Sequence, residues 1–166
     1  MDNKIKAFLD LVAFSEGTST SELTKQDGYD VNVSGIHGPS VFDGFAKHPF
    51  EDGGEVIVRE GPPVLASTAA GRYQLLARYW LDYKAQLHLP DYSPVSQDTV
   101  AVQQISEREG LALIEAGDIE GAIKACSNIW ASFPGNDYGQ GGKSLATLVE
   151  KYNELLSNYS TPSVMA

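Results

Sequence analysis

The chain has 166 residues, 42% hydrophobic and 10% aromatic, enough for a substantial core in a globular protein of single-domain size. Its 22 acidic against 12 basic residues give a formal charge of −10, which argues against nucleic acid, because phosphates demand clustered Lys and Arg. A single cysteine, Cys126, excludes an internal disulfide. The chain enters an amphipathic pattern directly after Met-Asp-Asn-Lys and has no long apolar run, so neither a signal peptide nor a membrane span is expected.

In chain order, the first element is a helix over Asn3 to Ser15. Ile5, Leu9, Val12 and Glu16 recur at spacings of four, three and four, which stacks them on one face, and Gly17 stops the helix. Three apolar residues make a core-facing stripe, and the fourth position delivers a carboxylate to its edge. Desolvation and the negative end of the helix dipole both favour the neutral form of such a group. The alternative is a frayed last turn with Glu16 in solvent.

Tyr29, Val31 and Val33 alternate with Asp30, Asn32 and Ser34, the period-two signature of a half-buried strand, and a second short strand is expected over Glu55 to Arg59. The stretch from Gly35 to Ala66 reads as a small, turn-rich β region. Thr68 is expected to cap a helix reaching Leu87, with Tyr73, Leu76, Trp80, Tyr83 and Leu87 as its stripe. Ser93-Pro94 opens another helix, ending near Gly110. A short helix over Leu111 to Ala116 is closed by Gly117, and Asp118 caps a further one through Ile129, with Ile119, Ala122, Ile123 and Cys126 inward. A glycine-rich loop, Pro134 to Gly142, precedes a final helix with Leu145, Leu148, Val149, Tyr152 and Leu156 on one side. No repeat or linker divides the chain. Residues 1–156 are expected to form a single α+β domain, mostly helical with a small antiparallel sheet after the first helix, and 157–166 a frayed tail.

Four blocks carry a resemblance: Ala13-Phe14-Ser15-Glu16-Gly17-Thr18, Gly28-Tyr29-Asp30-Val31, Ala70-Gly71-Arg72-Tyr73-Gln74-Leu75-Leu76, and Cys126-Ser127-Asn128-Ile129-Trp130-Ala131-Ser132. In this order they resemble the phage lambda-type endolysins, lytic transglycosylases of lysozyme-like fold, from about Lys6 to Gln140. The resemblance implies that Glu16 is the catalytic acid and base. It would cleave the β-1,4 bond between N-acetylmuramic acid and N-acetylglucosamine in peptidoglycan and close a 1,6-anhydro ring on the muramoyl product. It also implies an enzyme that waits in the host cytoplasm for a holin-type release partner and then acts on the wall in the periplasm. A monomer is expected. Two other readings stay open: a muramidase hydrolysing the same bond, and a glycan-binding or virion component without turnover.

Other candidates follow from the same blocks. Asp30 would be the second carboxylate of a hydrolytic mechanism, or else a hydrogen bond that orders the site. Gln74 lies off the Tyr73 stripe with an amide suited to sugar hydroxyl and N-acetyl groups, while a tight helix start with Arg72 on the surface is the plain alternative. Of the adjacent Gln103 and Gln104 only one can face the site, and Gln104 is chosen; a buried structural amide is the alternative. Asn128 is a candidate sugar contact and Trp130 a core anchor. Tyr138, on the glycine-rich loop, is placed to line a saccharide groove or to pin the loop.

Two features depart from the family: tryptophan stands there where this chain has Phe14, and the family's enzymes are basic. Three scattered histidines and no Cys-x-x-Cys or phosphate loop give no metal or cofactor expectation. Cys126, between Ile123 and Ile129, reads as a small buried apolar group rather than a reactive thiol.

Overall fold

The structure, a computed structural model, describes residues 1–135 and 143–160. It contains helices α1 (Asn3–Glu16), α2 (Ala77–Gln86), α3 (Pro94–Glu107), α4 (Gly110–Ala116), α5 (Ile119–Cys126) and α6 (Leu145–Ser160), and strands β1 (Val56–Arg59) and β2 (Leu65–Ser67). Two compact units emerge: Met1–Glu16 with Ala101–Ala166, and Gly17–Val100. Among the described residues, no helix is long and apolar enough to cross a membrane.

The first unit is helical. Asp2 starts α1 by accepting the Lys4 amide at 2.8 Å, filling one of the donors a helix start leaves unpaired. The helix packs against both α4 and α6. Its buried surface is therefore wider than the expected stripe: Ala7, Phe8, Leu9, Leu11, Val12, Ala13 and Ser15 are all buried. Phe8 meets Phe133 edge-on at 5.9 Å, and Phe133 meets Trp130 likewise at 5.9 Å. Ile105, Ile114, Ile123 and Leu148 complete this core, and Trp130 is the anchor expected of it. Asp118 caps α5 as expected, accepting the Gly121 amide at 2.9 Å, and Cys126 is fully buried. Burial pushes its thiol up to about 11, so it is not a thiolate at neutral pH. Of the expected frayed tail, residues 157–160 are helical as the end of α6, and residues 161–166 lie outside the described residues.

The second unit holds the sheet. β1 and β2 pair antiparallel, Val56 opposite Ser67 and Ile57 opposite Ala66, with a bulge between Ile57 and Arg59. The strand expected around Tyr29 to Val33 does not form a ladder. It is an extended segment with isolated bridges on both edges, Val31 to Val41 and Asn32 to Ala70. With neighbours on both sides, the alternation fails: Asp30 and Val31 are both buried. Trp80, Tyr92, Leu75 and Val100 form this unit's core. The Trp80 indole donates to Glu51 Oε2 at 2.8 Å, and Lys84 pairs with the other oxygen of that carboxylate at 2.7 Å.

The helix expected from Thr68 to Leu87 begins only at Ala77. Gly71 (φ +86°) and Gln74 (φ +52°) adopt left-handed backbone and turn the chain between Ala70 and Leu75, which exchange both backbone hydrogen bonds at 3.2 and 3.0 Å. Thr68 still serves the helix start, but from a distance: its Oγ1 accepts the Ala77 amide at 3.0 Å.

The glycines at 71 and 17 should respond differently to alanine. A Cβ on Gly71 would lie 2.4 Å from Gln97 Oε1 and 2.8 Å from the Tyr92 hydroxyl, whereas one on Gly17 (φ +77°) meets nothing within 4 Å. Gln97 cannot swing aside without abandoning buried hydrogen bonds. Gly17→Ala should therefore cost only backbone strain, about 1 kcal/mol, and Gly71→Ala about 3 kcal/mol, measured by urea unfolding at pH 7.

Candidate active site

Glu16 is the last residue of α1, and Gly17 reverses the chain behind it. The carboxyl is half-buried. Ser132 Oγ donates to its Oε1 at 2.8 Å, and Ser15 Oγ donates to Ser132 at 2.9 Å. Lys143 closes the helix end, its Nζ donating to the Phe14 carbonyl at 3.4 Å, one of the four acceptors that every helix end leaves unpaired. The Lys143 and Lys151 ammonium groups lie 4.6 and 4.9 Å from the centre of the Phe14 ring. An aromatic face attracts cations, so Phe14 gathers positive charge at the helix's negative end. Burial raises the Glu16 pKa above the ordinary carboxyl value, opposed in turn by the Ser132 hydrogen bond and the Lys143 charge. Burial wins: the group is held toward its protonated form while two nearby groups keep ionisation within reach.

In the second unit, Asp30 is 4% exposed and both its oxygens are engaged. Oδ1 accepts the Thr24 hydroxyl, and Oδ2 accepts the Lys25 amide at 3.0 Å. Its carboxylate ties down the segment that precedes it. Gln74 grips the following residue: its Nε2 donates to the carbonyls of Val31 at 3.2 Å and Gly71 at 2.9 Å. Both donors of that amide hold the turn, and Oε1 is the end left for a ligand.

Arg72 corrects the expectation of a surface charge on a helix start. It is 5% exposed and lies over the rings of Tyr29 and Tyr73, with centroids at 5.2 and 5.6 Å. Its Nε donates to the Asp27 carbonyl at 2.9 Å, and one terminal nitrogen donates to the Tyr73 hydroxyl at 3.1 Å. Tyr29 and Tyr73 both donate to Asp98 Oδ1, at 2.8 and 2.6 Å. Burial, with the Asp98 carboxylate beside them, raises both phenol pKa values, so each stays a donor at physiological pH. Gln97 fastens α3 to this turn: its Oε1 accepts the Arg72 amide at 2.9 Å, and its Nε2 donates to the carbonyls of Tyr29 and Tyr92 at 3.1 and 3.0 Å.

The other expected site residues scatter. Gln104 is half-buried on α3 and makes no side-chain hydrogen bond among the described residues, while Gln103 bonds Glu107 at 3.1 Å along the helix surface. Asn128 is exposed, and its Oδ1 accepts from Arg108 Nε at 3.1 Å. Tyr138 lies outside the described residues. Thus Asp30 and Gln74 act on adjacent backbone, whereas Glu16 is served by Ser132, Ser15 and Lys143, none of which was singled out from sequence. Ser15 and Ser132 do stand inside the first and last of the four motif blocks. That was the available signal, but a serine carries none of the rarity that makes a buried carboxylate conspicuous.

A model of the Endolysin family matches residues 6–158. The endolysin of Escherichia phage P2 is 52% identical over 148 residues, spanning 87% of this chain and 88% of the relative. That of Escherichia phage lambda is 48% identical over 155 residues, 93% of this chain and 92% of its own. Among solved structures, bacteriophage lambda lysozyme complexed with a chitohexasaccharide superposes with a TM-score of 0.82 at 47% identity, over 93% of this chain and 95% of that one.

The Glu16 environment has a thermodynamic consequence. A carboxyl whose folded-state pKa is raised favours the fold at low pH, and that contribution is lost as pH rises from the unfolded midpoint through the folded one. Glu16→Gln, which keeps an oxygen for Ser132, should unfold like the parent below the ordinary midpoint near 4.5. At pH 7 it should be the more stable protein, because the parent alone then carries a charge that burial disfavours. Equal midpoints of urea unfolding at both pH values would contradict the assignment.

Proposed function

The chain belongs to the endolysin family and has the lambda-lysozyme fold; from that premise we propose that it is a lytic transglycosylase. Its bond would be the β-1,4 link between N-acetylmuramic acid and N-acetylglucosamine in peptidoglycan. The lambda relative is seen with a chitohexasaccharide, a strand of the same β-1,4 amino-sugar type. Neutral Glu16 protonates the bridging oxygen as the bond opens through an oxocarbenium-like state. The resulting carboxylate accepts the proton of the muramoyl C6 hydroxyl, whose oxygen attacks C1 and closes the 1,6-anhydro ring. Attack from within one sugar profits from proximity and consumes no water.

The observation that carries this reading over hydrolysis is the condition of Asp30. A hydrolytic mechanism needs a second carboxylate to activate water or to act as nucleophile. Asp30 is the acid that sequence order nominates, and its two oxygens are already taken by Thr24 and Lys25 within a buried turn. Its proposed part is to set the backbone that Gln74 also holds. Gln74 Oε1 and the amides of Gln104 and Asn128 are proposed to meet sugar hydroxyl and N-acetyl groups, with Tyr138 as a stacking face. The enzyme works as a monomer, needs no metal or cofactor, and passes from host cytoplasm to the periplasmic wall when a holin-type partner opens the membrane.

Digestion of purified peptidoglycan followed by mass spectrometry should yield anhydro-muropeptides. Reducing ends that take up heavy oxygen from labelled water would make it a muramidase instead. Glu16→Gln should lose roughly 10³-fold in rate, and the parent's activity should fall with rising pH along a limb that lies above the ordinary glutamate midpoint of 4.5. A Gln variant with full lytic activity would leave only a binding role.

A further inference from the structure

Ser15 and Ser132 end, through one chain of hydrogen bonds, on Glu16. Ser15 precedes Glu16 on α1 and is 8% exposed, so its side chain points into the protein. A helical serine often returns its hydroxyl proton to the carbonyl four residues back. That of Ser15 goes instead to Ser132 Oγ, at 2.9 Å. A hydroxyl owns one hydrogen and two lone pairs. With a lone pair occupied by Ser15, Ser132 has its own hydrogen to offer, and it offers it to Glu16 Oε1 at 2.8 Å. The chain therefore has a direction, set by its first member.

The direction divides the two carboxyl oxygens. An oxygen that accepts from a serine is the carbonyl-like one, and the acid's proton sits on the other. We propose that Ser132, aligned by Ser15, is a positioning residue that reserves Oε1 as an acceptor and makes Oε2 the atom that gives and retrieves the catalytic proton. This rests on the reading of Glu16 as the acid and base. The Oε2–H bond breaks as its proton passes to the bridging oxygen, which also takes the electron pair of the breaking C1–O bond. The C6 oxygen then bonds C1, and its proton returns to Oε2. Both serines keep their own protons throughout.

The same bond is stronger to an ionised carboxylate than to a neutral one. It therefore helps the carboxylate survive between the two proton transfers, against the burial that favours its neutral form. Losing it should both free the carboxyl to rotate and move its titration upward.

The test is the rate and pH profile of Ser132→Ala, Ser132→Thr, Ser132→Cys and Ser15→Ala on purified peptidoglycan, with Glu16→Gln alongside. Ser132→Ala should lower kcat roughly 10-fold or more, leave KM within about twofold, and move the alkaline limb to higher pH. Ser15→Ala should move both in the same direction by less, and Ser132→Thr should restore most of each. If the alanine variant does not fold, Ser132→Cys, close in size but a poor donor, carries the comparison. A folded variant lacking the hydroxyl that keeps the parent's kcat and limb overturns the assignment, as does a limb displaced to lower pH. If Glu16→Gln stays active, the underlying reaction is wrong; if it is dead while Ser132→Ala is unchanged, only the role of the serines is.

Discussion

A carboxyl group at the end of a buried helix gives up hydration that nothing fully replaces, and the rest of the helical unit is arranged around that deficit. α1 lies between α4 and α6, and seven of its residues, from Ala7 to Ser15, are buried. Such a helix cannot rotate to bring Glu16 further into water without exposing Phe8, Leu11 or Val12. Uncovering one such side chain costs about 2 kcal/mol, comparable with a strong hydrogen bond to a charge. The helix core thus fixes the burial of Glu16, and Ser132 and Lys143 can only moderate it. A group restrained in this way by packing is suited to proton transfer because its surroundings need not reorganise as its charge changes.

The second unit solves a different problem, that of holding an irregular backbone still. Its extended segment around Asp30 to Val33 lacks a continuous ladder, and side chains do what strand pairing does elsewhere. Asp30 anchors the turn before it, Gln74 takes the Val31 carbonyl, and Gln97 spans three backbone groups from α3. Arg72 is the costliest member, a buried cation whose desolvation must be matched. It is matched by the Asp27 carboxylate at 3.5 Å and the carbonyl of the same residue, by two aromatic faces and by the Tyr73 hydroxyl, with Asp98 collecting both phenols. A network satisfied at nearly every position specifies one geometry, which a loop chosen only for flexibility would not.

These two solutions differ in how far sequence reveals them. Where burial follows a helical period the residues announce it: α1, α4 and the starts of α3, α5 and α6 fall within a residue or two of their expected limits, the ends of α3 and α5 come about three residues early, and Asp118 and Gly117 do what their types suggest. The failures cluster where side chains bond to backbone across tens of residues. Nothing local distinguishes Thr68 capping a helix at once from Thr68 reaching the amide of Ala77. The stripe through Tyr73 and Leu76 has the right period, yet the left-handed Gly71 and Gln74 forbid a helix there. Leu65–Ser67 is a strand only because Val56–Arg59 lies opposite. At the candidate site, the partial burial of the Glu16 carboxyl was legible because a carboxylate on an apolar stripe is anomalous, and its bond to Ser132 was not because the two residues stand 116 positions apart in sequence.

The acidic composition set against the proposed anionic substrate is resolved by distance. A net charge of −10 is a property of the whole surface, and in physiological salt its influence fades over about 8 Å. Over the last turn of α1 positive charge is close at hand. Lys143 and Lys151 stand over Phe14, and Lys143 also faces the Glu16 carboxylate. Phenylalanine supplies the π-face that tryptophan would supply, without an N–H that would need a partner of its own. Lys151 is also paired with Glu154 at 3.0 Å, so Lys143 is the cation that draws the Glu16 pKa down. Long-range repulsion therefore bears on encounter with the proposed wall substrate, whereas the protonation of Glu16 is set by its immediate surroundings, burial first and Ser132 and Lys143 against it.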